Sequence, residues 1–197
     1  GPGVLLGRPG GPAGEPVGGV VSGGLGQAEL EVAAVEGVRP VPDPVRPRHQ
    51  QLAPGGGGHL VLAEAVEQIA ELTGWKPPSA LCNVTNEDDV QQLFDRAIAE
   101  LGGVDIVMNN AGLGGTANLV DMTDEQWNAV SDVTLNGTMR TTRAALKHMV
   151  ERGGGVIVNN ASVVGWRAQE GQCHYAAAKA GVMALTRCAA IEAAPHG

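Results

Sequence analysis

Aromatic side chains are scarce, 3% of 197 residues with one Tyr and one Phe, so any core must be mainly aliphatic. Cysteine is scarce too. Cys82, Cys173 and Cys188 are odd in number and lack metal-ligand spacing, which excludes a disulfide scaffold or a zinc module and reads as reduced thiols of the cytoplasm. Positive charge is short: 13 Lys and Arg against 21 Asp and Glu give a net charge of -8 and a pI near 5.0. A nucleic-acid partner needs a basic stripe to neutralise phosphates, so none is expected. No apolar run reaches the roughly eighteen residues of a membrane-crossing helix, and no basic-then-apolar leader opens the chain. The first residue is Gly1, not Met, and an incomplete beginning is expected. What is present, 43% hydrophobic residues, is enough for one soluble, acidic domain.

The composition breaks near residue 60. Residues 1–60 hold 16 of the 30 glycines and 9 of the 12 prolines, with no Lys, Phe, Trp or Tyr. Without a collagen period, this density predicts disorder in place of a packed layer. Pro40, Pro42, Pro44 and Pro47 would each remove a ladder donor from a strand, and Gly55–Gly58 reads as a hinge. The reading is a disordered tail over 1–60 and a folded part over 61–197.

From residue 61 the apolar spacing becomes regular. Leu62, Ala65, Val66, Ile69 and Leu72 predict a helix ended by Gly74 and Pro77-Pro78. Ser79 to Val84 predicts a buried strand. Thr85 to Asp88 offers a cap with acids in the first turn, and Val90, Leu93, Phe94, Ala97, Ile98 and Leu101 form one helical stripe behind it. Strands follow at Val104–Met108 and Val156–Asn159. A long helix is expected from Thr123 to about Arg152, interrupted at most at Gly137, and a last one from Cys173 to about Ala194. Helices alternating with strands predict an α/β fold with a doubly wound parallel sheet.

Ligands bind beyond the carboxyl ends of such strands. Asn83, then Asn109-Asn110-Ala111-Gly112, then Asn160-Ala161-Ser162 stand there. Each is also ordinary turn chemistry. Tyr175-Ala176-Ala177-Ala178-Lys179 opens the last helix, and positions i and i+4 share a helix face. An ammonium near a phenol favours the phenolate, so the pair is a candidate proton-transfer group; a surface Lys beside a half-buried Tyr is the plain alternative. His148, His174 and His196 show no ligand spacing and read as surface or cleft-edge histidines. Cys173 reads as a small spacer. Trp166 and Gln169 lie on the loop after Ser162.

Taken together, Asn109 to Gly112, Ser162, Tyr175 and Lys179 resemble the short-chain dehydrogenase/reductase family over about residues 62–197. The resemblance implies a Rossmann-like fold and an NAD- or NADP-dependent oxidoreductase that interconverts a ketone and a secondary alcohol. It implies Ser162, Tyr175 and Lys179 as catalytic residues, with Ser162 holding the substrate oxygen and Tyr175 passing the proton. Asn83, Asn109, Ala111, Gly112, Tyr175 and Lys179 are the implied cofactor contacts, with no metal. The stretch Asn159 to Gln169 is similar to actinobacterial members acting on acyl thioesters or steroid-derived acids. A small-molecule carbonyl or alcohol is the implied partner, in a cytoplasmic homodimer or homotetramer.

The sequence departs from that family in several places. Thr134 stands where its long helix carries an asparagine, and Asn136, two residues on, is rotated by about 200° on a regular helix. Asn83 stands where an Asp commonly accepts from adenine, and an amide oxygen can still accept. The family's first strand and glycine-rich phosphate turn find no match in residues 1–60, where Val20 to Gly26 lacks the spacing. The family continues past Gly197 into further strands, so an incomplete end is expected there. An out-of-frame origin for residues 1–60 is one expectation, a natural low-complexity tail the other. The alternative function is a non-catalytic remnant that cannot bind cofactor.

Overall fold

The computed structural model describes residues 4–7, 29–33 and 58–197. The expected disorder of 1–60 otherwise falls outside the described residues, as does the Val20–Gly26 string. Two short strands within that tail were not anticipated, β1 (Val4–Gly7) and β2 (Glu29–Ala33). Beyond it the alternation is as predicted: α1 (Gly58–Thr73), β3 (Ser79–Asn83), α2 (Glu87–Leu101), β4 (Ile106–Asn109), α3 (Asp124–Ser131), α4 (Gly137–Arg152), β5 (Val156–Asn159) and α5 (Cys173–Ala193). Gly58, read as part of a hinge, is the first residue of α1.

β4 and β5 are parallel, with Ile106 beside Val156 and Asn109 beside Asn159. The tail strands run the other way. β1 pairs antiparallel with β4, Val4 opposite Asn109 and Gly7 opposite Ile106. β2 pairs antiparallel with β3, Glu29 opposite Asn83 and Ala33 opposite Ser79. β1 therefore ends, at Gly7, at the end of β4 remote from Asn109.

The main core lies between α2, α4 and the strands. Val90, Leu93, Phe94 and Ala97 of α2 bury one face against Cys82, Val84, Val104, Val107, Ala145 and Met149. The stripe has the i, i+3, i+4, i+7 spacing that puts these side chains on one side of a helix. Asn86 starts the helix, its side chain accepting from the N–H groups of Asp88 at 2.8 Å and Asp89 at 3.3 Å. Glu87, Asp88 and Asp89 follow in the first turn, where negative charge favours the helix dipole. Gly102 ends it with φ +76°, a left-handed conformation that costs glycine nothing. Asn86→Ala should lower stability by about 0.5–2 kcal/mol, read as a reduced urea midpoint with an unchanged slope. An unchanged midpoint would show that the cap does not hold the helix.

The long helix expected from Thr123 does begin there, with a capping box between Thr123 and Gln126. Its interruption is a π-helical segment over Asp132–Asn136, just ahead of Gly137. Two contacts hold it from outside. Asp132 accepts from Asn136 Nδ2 at 3.0 Å and from Arg140 at 2.9 Å, and Arg140 also reaches the Val84 carbonyl at 3.2 Å. At Gly137 a Cβ would stand 2.7 Å from Val84 Cγ2, so only glycine lets the helix approach the end of β3 this closely.

Candidate active site

β4 and β5 end side by side, and their last residues are joined by side chains. Asn109 is buried, and its Nδ2 donates to Asn159 Oδ1 at 2.8 Å and to Thr142 Oγ1 at 3.1 Å. Asn159 Nδ2 donates to Thr186 Oγ1 at 2.9 Å, and the Thr186 hydroxyl donates to the Val182 carbonyl at 2.7 Å. This polar chain ties α4, β4, β5 and α5 together beneath the site. Among the described residues Asn109 Oδ1 has no hydrogen-bond partner, although a buried carbonyl oxygen ordinarily has one. One residue further, the Asn160 N–H donates to the Asn109 carbonyl at 2.9 Å, and the side chains of Asn160 and Asn110 are hydrogen-bonded to each other.

α5 brings Tyr175 and Lys179 to this point. Lys179 is 3% exposed, and its Nζ donates to the Asn160 carbonyl at 2.5 Å. The same ammonium stands 5.6 Å from the centroid of the Tyr175 ring, within the range of a cation–π contact. Burial pushes the Lys179 amine below its ordinary pKa, because the protonated form loses hydration.

Ser162 sits at the head of a short 3-10 turn, Val163–Gly165, with its hydroxyl accepting from the Val164 N–H at 3.4 Å. That turn presses on α5. A Cβ on Gly165 would stand 3.0 Å from the Ala180 nitrogen and 3.1 Å from the Lys179 carbonyl carbon. The loop carrying Ser162 is thus seated on the helical turn that carries Lys179. Ala111 is buried and Gly112 faces the same spot, where an added Cβ would lie 3.6 Å from Lys179 Nζ.

Other sequence expectations meet the structure less evenly. Asn83 ends β3, but its Oδ1 accepts from both the Thr85 N–H at 3.0 Å and the Thr85 hydroxyl at 2.8 Å, which engages both lone pairs. His174 is not at the surface: it is 2% exposed, and its Nδ1 has no partner among the described residues. It packs where the Gly114-Gly115 loop crosses the start of α5, a Cβ on Gly115 falling 3.2 Å from its Nε2. His148 is half-buried and its Nε2 accepts from the Val104 N–H at 3.1 Å. Trp166 is 75% exposed. Thr142 and Thr186 were missed, since an isolated Thr on a helix carries no signal that its partner is a strand-end amide.

The short chain dehydrogenase family matches residues 59–197. The chain belongs to that family. The (5R,7aS)-5-hydroxy-7a-methyl-1-oxo-2,3,5,6,7,7a-hexahydro-1H-indene-carboxyl-CoA reductase of Mycobacterium tuberculosis is 52% identical over 137 residues, covering 69% of this chain and 52% of the relative. A 3-oxoacyl-acyl-carrier-protein reductase of Thermotoga maritima is 38% identical, covering 68% of this chain and 54% of the relative. The 3beta-hydroxysteroid dehydrogenase 2 of Eggerthella lenta is 39% identical, covering 69% and 53%. The chain spans about half the length of these curated relatives. Among solved structures, a short chain dehydrogenase from Mycobacterium smegmatis is 54% identical with a TM-score of 0.66, covering 69% of this chain and 57% of that one. The doubly wound α/β reading therefore stands.

Proposed function

We propose that this site belongs to an NAD- or NADP-dependent oxidoreductase that interconverts a ketone and a secondary alcohol. The observation that carries the reading is Lys179, buried, bonded to the Asn160 carbonyl and standing over the Tyr175 ring. A charged amine is costly to bury, and its location between two strand ends and a tyrosine is what proton transfer to a bound oxygen requires. In this reading Ser162 donates a hydrogen bond to the substrate oxygen, and the Tyr175 hydroxyl gives that oxygen its proton during reduction. A nicotinamide bound there supplies the hydride. Lys179, Tyr175 and the Asn109–Gly112 turn would hold its ribose and ring, and the Asn109 oxygen, without a partner among the described residues, is an acceptor available to a ligand-side donor. Asn83 could meet adenine only by releasing Thr85.

The substrate class follows from two supports. The 52% identical relative is named for a bicyclic acyl-CoA, and Val163 and Trp166, just past Ser162, are exposed apolar side chains. A bulky acyl thioester or steroid-derived acid fits both. The same reading takes the protein as a cytoplasmic homodimer or homotetramer.

A second reading has its own observation. Phosphates are received by backbone N–H groups at a glycine-rich turn that opens a helix beyond the carboxyl end of a strand. β1 occupies the place beside β4 but ends next to Ile106, away from Asn109. That direction carries the end of β1 away from the site, which favours a remnant that does not hold the cofactor. Titrating the 197-residue chain with NADH and NADPH, followed by nicotinamide fluorescence, separates the two. Saturable binding supports the oxidoreductase and sinks the remnant. Absence of binding at millimolar cofactor, in folded protein, does the reverse.

A further inference from the structure

A groove of about 240 Å³ runs between α4 and α5 with β5 beneath it. Thr142, Leu146, Met149 and Val150 form one wall, at the i, i+4, i+7, i+8 spacing of a single helix face. Thr186, Ala189, Ala190 and Ala193 form the other, at the matching spacing on α5. Ile157 and Asn159 make the floor, since alternate residues of a strand point to one side. After Thr186 this face of α5 presents nothing longer than a methyl group, so the space between the helices is left unfilled. Ser162, Tyr175 and Lys179 do not line it, and the groove is separate from the candidate active site.

The lining fixes the chemistry of an occupant. No Asp, Glu, Lys or Arg contributes to it, and His196 is its one titratable side chain, so an ion would leave water without a counter-charge. Polar groups gather at one end. The Thr186 hydroxyl gives its hydrogen to the Val182 carbonyl at 2.7 Å, so towards Asn159 Nδ2, 2.9 Å away, it can only accept. That fixes the orientation of the amide, whose Oδ1 receives Asn109 Nδ2 at 2.8 Å and the Thr142 hydroxyl at 3.3 Å. An amide nitrogen carries two hydrogens, and Thr186 is the one acceptor Nδ2 has among the described residues. The second hydrogen is available to an occupant with an acceptor oxygen. An apolar cavity of about 150 Å³ takes a benzene-sized molecule, so 240 Å³ has room for a substituted ring.

We propose that this groove is a second ligand site, taking a neutral, ring-sized, apolar molecule whose oxygen accepts from Asn159 Nδ2. An occupant bears on Asn159, one residue before the carbonyl that receives Lys179 Nζ, so it sits behind the candidate active site and not within it. The site needs no cofactor, and its test stands apart from the oxidoreductase reading.

The test uses the 197-residue chain with 13C-labelled methionine methyl groups, without cofactor, titrated with anisole and separately with toluene. The Met149 methyl signal, assigned with Met149→Leu, should shift saturably with anisole while that of Met122 stays in place. Toluene has the ring without the oxygen and should bind about two- to tenfold more weakly, the worth of one neutral hydrogen bond. Ala189→Leu, which extends a side chain into the groove, should abolish the Met149 shift. An unmoved Met149 signal in anisole-saturated buffer overturns the proposal, and so does a shift that persists in folded Ala189→Leu protein. Equal affinity for toluene rejects Asn159 as the donor and with it the oxygen-bearing class. Should Ala189→Leu fail to fold, contacts in the wild-type protein decide: the anisole ring protons must show nuclear Overhauser effects to the Ile157 and Met149 methyl groups, and their absence rejects the site.

Discussion

In protein that turns over a carbonyl substrate, Tyr175→Phe lowers the reduction rate by about 10²–10⁴-fold, the usual worth of a positioned general acid. The affinity for NAD(P)H stays close to that of the parent. The asymmetry follows from the geometry. Phenylalanine keeps the ring that Lys179 stands over at 5.6 Å, so the helix face and the amine are undisturbed. Only the hydroxyl goes, and with it the proton. The measurement is single-turnover reduction together with nicotinamide fluorescence titration of the same samples. A variant retaining more than about a tenth of the parent rate would remove Tyr175 as donor. A large loss of cofactor affinity would instead mean that the phenol is mainly a binding group.

Phe94→Ala costs about 3–5 kcal/mol of folding free energy, the range for emptying a buried aromatic site. Phe94 is the one phenylalanine of the chain and is 1% exposed. It lies in the cluster with Val90, Val107 and Met149, where α2 meets β4 and α4. The cost depends on how far the surrounding side chains collapse into the space left behind. A single domain is stable by about 5–15 kcal/mol, so this one change removes a large part of the total. Urea unfolding of the variant, beside Leu119→Ala at an exposed loop position, is the check. Leu119→Ala should stay within about 0.5 kcal/mol of the parent. A Phe94→Ala loss no larger than that would show that the cluster is not the stabilising core.

The α/β alternation was readable because its signals are local. The α2 stripe, the Thr123–Gln126 capping box and the Val156–Asn159 strand depend on residues a few positions apart. Tyr175 and Lys179 were readable for the same reason, being one helical turn apart. Contacts between distant segments were not. Nothing local indicates that His174 is covered by Gly115, that Asn159 bonds Thr186, or that the π register turns Thr134 inward onto Leu113. The reading of Asn136 assumed a regular helix, and the π segment removes that assumption while still leaving Asn136 outside. The strand pairings of Val4–Gly7 and Glu29–Ala33 also escaped, because Gly and Pro density predicts weak structure on average and says nothing of two short aliphatic runs within it.

Cys82 gives the molecule a concealed reporter. It sits on β3 opposite Leu30 of β2, is 1% exposed, and burial, aided by the Asp89 carboxylate, pushes its thiol up to about 12. Cys173 and Cys188 are exposed. The nucleophile is the thiolate, so alkylating reagents meet two accessible sulfurs at once and the third only when the β3 region opens. Once open, that sulfur regains an ordinary acidity and reacts. The lag between the second and third adducts in a mass spectrum is therefore a clock for local opening at one defined strand, readable whether or not the chain ever holds a nucleotide.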